Sequence, residues 1–119
     1  MFIDPDFPDT LWVGSAGGGL WKSIDNGNNW NPVADFPGNT AISVIKMDPH
    51  DHNIMYIGTG DRDTSNGVPG NGIFRSSDRG NTWADISSIN SNQKVSWGTI
   101  TDIYIDPTTS GRFIVAQNT

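Results

Sequence analysis

Short runs in which apolar and polar residues alternate recur along the chain, bounded by Gly, Asp and Pro, and no stretch carries the three-to-four spacing of an amphipathic helix. The runs come in sets. The first of each set ends on Asp-Pro: FIDP at 2–5, VIKMDP at 44–49 and IYIDP at 103–107. A second run follows each, LWVGS (11–15), MYIGTG (55–60) and FIVAQ (113–117), rich in the β-branched and aromatic residues that suit a pleated surface. Third come GLWKSID (19–25) and GIFRSSD (72–78), where Leu20 and Lys22, or Ile73 and Arg75, share one strand face and Trp21 or Phe74 takes the other. NWNPVAD (29–35) and TWADISS (82–88) complete the set. Each set predicts a four-stranded antiparallel meander with short polar connections.

The copies are not identical in length. Their Asp-Pro pairs are offset by 48 − 4 = 44 positions and the aspartates closing their third runs by 78 − 25 = 53, so the second copy carries 53 − 44 = 9 additional residues. They fall around DRDTSNGVPG, residues 61–70, between its second and third strands.

Between the third and fourth runs both copies spell S-x-D-x-G-x-x-W, as Ser23, Asp25, Gly27 and Trp30, then Ser76, Asp78, Gly80 and Trp83. The residue types suit a clipped hairpin: a short carboxylate accepts backbone N–H groups of its own turn, Gly supplies positive φ, and the indole covers the turn. This spacing resembles the Asp-box, or BNR repeat, of sialidase-like propellers, and the resemblance extends over nearly the whole chain. Asn29 stands where Thr82 occupies the usual Thr position, which predicts one weaker hydrogen bond in the first copy.

The resemblance implies an all-β chain, a partial β-propeller of four-stranded antiparallel blades, about 2.5 of the roughly four to eight that close a ring. Residues 1–34 are then the end of a first blade, 41–88 a complete second blade and 99–119 the first two strands of a third. An open array leaves sheet edges unpaired, so further blades are expected, from a longer parent chain or from self-association.

Charge narrows the partners. With 13 acidic against 7 basic residues and a net charge of −6, the chain lacks the clustered cations that a nucleic-acid backbone requires. It has no cysteine, hence no disulfide or thiolate metal site. Nowhere do 18 apolar residues follow one another, so no helical membrane span is expected.

Successive turns of a meander alternate between the two ends of the sheet. The S-x-D-x-G turns therefore share an end with the Asp-Pro turns, and the other end carries the two longest loops. In the resembled propellers that second face holds the ligand, which makes Asp61, Arg62, Asp63, Lys94 and Trp97 the candidate binding residues, Trp97 as a ring that stacks on a sugar or fills space between blades. DRDTSNG has some likeness to a calcium loop, but Gly67 is seventh where that pattern places Gly sixth, so a solvated loop is the expected reading and no cofactor is implied. His50 and His52, in DPHDHN, are expected in a solvated turn and not at a metal. Asp102 aligns with Val44 on a first strand, facing the sheet interior or a central channel, where a carboxylate needs partners or water.

Two functions follow from the resemblance. The first, and the expectation, is a non-catalytic module of a secreted or cell-surface protein. Such arrays are similar to the propellers of sortilin-type receptors and of a photosystem II assembly factor, which bind proteins or glycans. Here the long loops, chiefly 59–71, would form that surface. The alternative is a glycoside hydrolase. Sialidase-like enzymes use three arginines and a Tyr nucleophile with a Glu partner, whereas this chain has only Arg62, Arg75, Arg79 and Arg112 and no R-I-P motif. Xyloglucanase-like enzymes carry a catalytic Asp after the second strand in a segment like T-D-V-G-G; Thr59-Gly60-Asp61 occupies the comparable place, before Gly72-Ile73-Phe74. Asp61 is then the first catalytic candidate, and the second carboxylate that an inverting mechanism needs about 6.5–9.5 Å away comes from further blades unless Asp102 serves.

Overall fold

A computed structural model describes residues 1–15, 19–33, 41–60, 72–86, 99–109 and 111–118, and every regular element among them is a β-strand. Strands β1 (Phe2–Ile3), β2 (Leu11–Ser15), β3 (Gly19–Ser23) and β4 (Asn31–Pro32) form a first antiparallel sheet in chain order. A second sheet repeats that order with β5 (Ile42–Met47), β6 (Met55–Thr59), β7 (Ile73–Ser76) and β8 (Ala84–Asp85). Strands β9 (Thr99–Ile105) and β10 (Phe113–Asn118) pair as a third. The expected all-β, partial propeller is the observed fold. Strands β4 and β8 are only two residues long, shorter than the runs that suggested them, and Trp30 and Trp83 lie just before them. In both copies one more backbone bond follows the short strand, Val33 N–H to Leu20 O at 2.9 Å and Ile86 N–H to Ile73 O at 3.0 Å.

Sheet stacking supplies the core. Trp12 and Leu20 of the first sheet meet Met55, Ile57 and Phe74 of the second, while Tyr56 and Ile73, on the second sheet's other face, meet Ile100 and Ile103 of the third. Because both of its faces are covered, β6 is buried at all five positions and its alternation does not sort inside from outside. The Phe113 ring tilts against Tyr56 with centroids 4.7 Å apart.

Two glycines set how closely the sheets approach. A Cβ on Gly58 would lie 2.5 Å from Ile100 Cγ2 and 2.8 Å from its Cβ, and Gly14 stands in the same relation to Ile42 one repeat earlier. Each isoleucine occupies the notch that the missing side chain leaves. Beside each is a bulge: the register slips between Ile42 and Val44, leaving Ser43 as the extra residue, and the partners of Ile100 and Asp102 leave Thr101 as its counterpart.

Gly58→Ala is expected to lower unfolding stability by about 1–3 kcal/mol through overpacking against Ile100. Ser43→Ala, at an exposed bulge, should stay within about 0.5 kcal/mol. Urea unfolding of the two variants beside the parent checks this, and an unchanged midpoint for Gly58→Ala would contradict the close seating.

Candidate functional site

The two S-x-D-x-G turns are built alike. Ser76 Oγ donates to Asp78 Oδ1 at 2.8 Å and accepts the Gly80 N–H at 2.7 Å, and Ser23 makes the same pair of bonds to Asp25 and Gly27. Asp78 Oδ1 also accepts the Thr82 N–H at 2.8 Å, and its Oδ2 the Thr82 hydroxyl at 2.5 Å. Those donors, the Thr82 hydroxyl foremost, hold the Asp78 carboxyl down at about 2. In the first copy the Asn29 side-chain amide takes the place of the Thr hydroxyl and reaches Asp25 Oδ2 at 2.6 Å. Asp25 is lowered too, first by that amide. Carboxylates held ionised with both oxygens engaged are unsuited to protonating a leaving group.

The backbone of these turns needs more than one special residue. Arg79 (φ 58) and Gly80 (φ 85) are both left-handed, as are Asn26 (φ 59) and Gly27 (φ 89), the pattern of a type I′ turn. Gly80 has a second constraint, since a Cβ there would lie 2.9 Å from Trp12 Cζ2 of the first sheet. Trp83 closes the turn with Nε1 donating to Gly80 O at 3.1 Å and lends its partly buried ring to the first core cluster.

Arg79 is the group that sequence reasoning missed. Its own N–H donates to Asn53 O at 2.8 Å, tying the turn to the Asp-Pro loop of its sheet. Its side chain crosses to the first sheet, Nε to Asp4 Oδ2 at 2.8 Å, Nη2 to Asp4 Oδ1 at 2.9 Å and Nη2 to Asp6 Oδ2 at 2.6 Å, with Phe7 under the guanidinium. Asp4 is 1% exposed. The guanidinium holds the Asp4 carboxyl below the usual range, and Asp6 is lowered first by His52, whose Nδ1 lies 2.6 Å from Asp6 Oδ2, and then by Arg79. His50 turns the other way, Nε2 to Asp106 O at 2.9 Å. Each histidine thus bridges to a neighbouring sheet. Among the described residues no three His, Cys, Asp or Glu side chains gather as a metal would need.

The other end of the sheets is described only up to its loops. Asp61, Arg62, Asp63, Lys94 and Trp97 lie outside the described residues, as does the DRDTSNG segment. The anchors of 61–71 are visible: Gly60 N–H donates to Ala41 O at 2.9 Å, at the entry to β5, and Thr59 Oγ1 donates to Gly72 O at 2.7 Å. Asp102 on β9 does not lie in the sheet interior: it is 63% exposed beside the Thr101 bulge, 3.6 Å from Lys46 Nζ of β5, so it has the partner and the water that a carboxylate at that place needs.

No protein-family model matches the chain. It is 30% identical over 114 residues to an oligoxyloglucan-reducing end-specific xyloglucanase of Emericella nidulans, across 92% of this chain and 12% of the relative. A probable enzyme of the same name from Neosartorya fischeri is 30% identical over 90 residues, across 72% of this chain and 10% of the relative. Its homologues are xyloglucanases. The fold has the same likeness: a GH74 xyloglucanase from Xanthomonas campestris superposes with a TM-score of 0.62 at 24% identity, across 86% of this chain and 16% of that one. The chain spans 10% and 12% of the length of these two xyloglucanase relatives.

Arg79→Ala leaves buried Asp4 without its ionic partner and is expected to cost about 1.5–3 kcal/mol, with Arg79→Lys recovering only part because a point charge cannot make the two-nitrogen contact. A loss below about 0.5 kcal/mol on urea unfolding would show that the clasp is not a stabilising contact. Acid tests the turn separately. Since Asp78 is lowered from 3.8 to about 2, its contribution is full above the unfolded value and is lost as pH falls through that window. Thr82→Val should therefore be less stable than the parent at neutral pH, with the difference closing between about pH 4 and pH 2; a difference independent of pH would reject that assignment.

Proposed function

We propose that the chain is an Asp-box segment of a larger extracellular propeller, divided into blades at 1–34, 41–88 and 99–119, that binds xyloglucan or its oligosaccharides through the loops after β6 and β8. The observation that carries this reading is the 30% identity to a named xyloglucanase across 92% of the chain. The anchors at Gly60 and Thr59 support it, because they hold both ends of the long 61–71 segment beside the entry to β5. In this reading Trp97 stacks on a sugar ring, and Asp61, Arg62, Asp63 and Lys94 supply polar contacts to hydroxyls. The chain binds glycan and does not cleave it alone.

The names of the relatives favour a second reading, in which the same segment belongs to a glycoside hydrolase and Asp61 is one of its two carboxylates. A sialidase is disfavoured, because the relatives the chain matches are named xyloglucanases. Asp102 is a poor second carboxylate in its observed position, paired with Lys46 in solvent. The other member of the pair would come from elsewhere in the propeller.

Titration of the chain with xyloglucan oligosaccharides, with unsubstituted cellulose fragments as control, tests both. Selective binding that Trp97→Ala weakens about tenfold, the value of one stacked ring at about 1.4 kcal/mol, supports the first reading. Asp61→Ala should leave the unfolding midpoint within about 0.5 kcal/mol of the parent. Release of reducing sugar that Asp61→Ala abolishes would move the assignment to the hydrolase, and no preference for xyloglucan over cellulose fragments would remove both.

A further inference from the structure

The chain has two histidines, and the one turn that holds both reaches to the sheets on either side. His52 Nδ1 lies 2.6 Å from Asp6 Oδ2 in the first sheet's Asp-Pro turn, and His50 Nε2 lies 2.9 Å from Asp106 O in the third's. The two contacts differ in chemistry. A carbonyl accepts a hydrogen bond from a neutral or a charged imidazole alike, whereas a carboxylate gains an ion pair when the imidazole is charged. Proline stands at the place of His52 in the first repeat, at 52 − 44 = 8, so the repeat itself does not call for an imidazole there.

The charges around His52 favour a second cation. The first sheet brings Asp4 and Asp6. The second brings Arg79 from its hairpin turn, with Asp48 and Asp51 in the histidines' own turn, and on the His50 side the third brings Asp106 with Arg112 beside it. Asp4, Asp6, Arg79 and His52 are bonded into one cluster, where two carboxylates against one guanidinium leave one negative charge. An imidazolium cancels it. Arg79 Nη2 and His52 Nδ1 share Asp6 Oδ2, and Asp4 lessens the repulsion between them by accepting two bonds from the guanidinium. The pair is half-exposed, His52 at 36% and Asp6 at 46%, so water delivers the proton freely and the contact contributes the modest amount of a surface ion pair. We propose that His52 and Asp6 form a proton-linked clasp, which ties the first sheet to the second more tightly in mildly acidic than in alkaline medium. The charged pair exists only in the folded chain, so its contribution is present below the imidazole range and is lost as pH rises through it. Asp6 itself does not titrate in that window, because His52 and then Arg79 hold its carboxyl below the usual range.

Urea unfolding of the full chain and of His52→Gln, at about pH 8 and at about pH 5.5 in low salt, tests this, since glutamine donates a hydrogen bond but takes up no proton. The parent's advantage in the folding equilibrium constant should grow about threefold from the higher pH to the lower. That growth should vanish when both chains carry Asp6→Asn, and should persist when both carry His50→Gln. An advantage that does not change with pH, one that grows equally beside Asp6→Asn, or one whose growth is lost beside His50→Gln would each overturn the proposal. Histidine proton resonances give an independent reading on the native state. Asp6→Asn should move the His52 titration to lower pH and leave that of His50 in place, and an unmoved His52 titration would overturn the clasp even where a variant is too unstable for its unfolding to be measured.

Discussion

Burial of the second sheet between two others is the contact on which the remaining structure depends. Four short strands have too little area on one face to offset the conformational entropy of ordering them, so a single meander of this length is marginal by itself. Stacking changes that balance, since Met55 and Ile57 point to one neighbour and Tyr56 to the other, and all three are at most 2% exposed. The Gly14 and Gly58 notches let an isoleucine of the following sheet seat against bare backbone, which brings the layers close enough for those side chains to interlock. Closeness also explains the bulges at Ser43 and Thr101, where the chain bends just beside each seated isoleucine.

Polar contacts do different work at the two ends. At the turn end, carboxylates are spent on backbone and side-chain donors: Asp25 and Asp78 within their hairpins, Asp4 and Asp6 across a sheet boundary to Arg79. Their lowered proton affinities have one physical cause, donors directed at the ionised form, and that makes them structural anchors. At the other end the polar contacts flank the inserted segment, with Thr59 Oγ1 donating to Gly72 O and Gly60 N–H to Ala41 O.

Several features were legible along the chain because they are local. Period-two alternation and Asp-Pro punctuation locate strands, and the S-x-D-x-G-x-x-W spacing specifies a hairpin whose acceptor, glycine and indole are all within eight residues. The repeat offset locates the inserted loop for the same reason. At the Thr position of the first copy the donor differs, Asn29 supplying an amide where Thr82 supplies a hydroxyl, and both reach the second carboxylate oxygen of their turn.

What the sequence by itself determined, then, is strand order, the place of the turns and the all-β repeat, since these follow from neighbours in the chain. Tertiary structure decided which sheet faces which, and with it the features that depend on residues far apart in sequence. The Arg79 bridge to Asp4 spans 75 positions, so no periodicity could announce it. Gly80 is required as much by Trp12 of another sheet as by its own φ, and Asp102 of β9 meets Lys46 of β5 across a sheet boundary. Side-chain alternation tells the two faces of a strand apart; what lies against each face is settled only when the sheets stack.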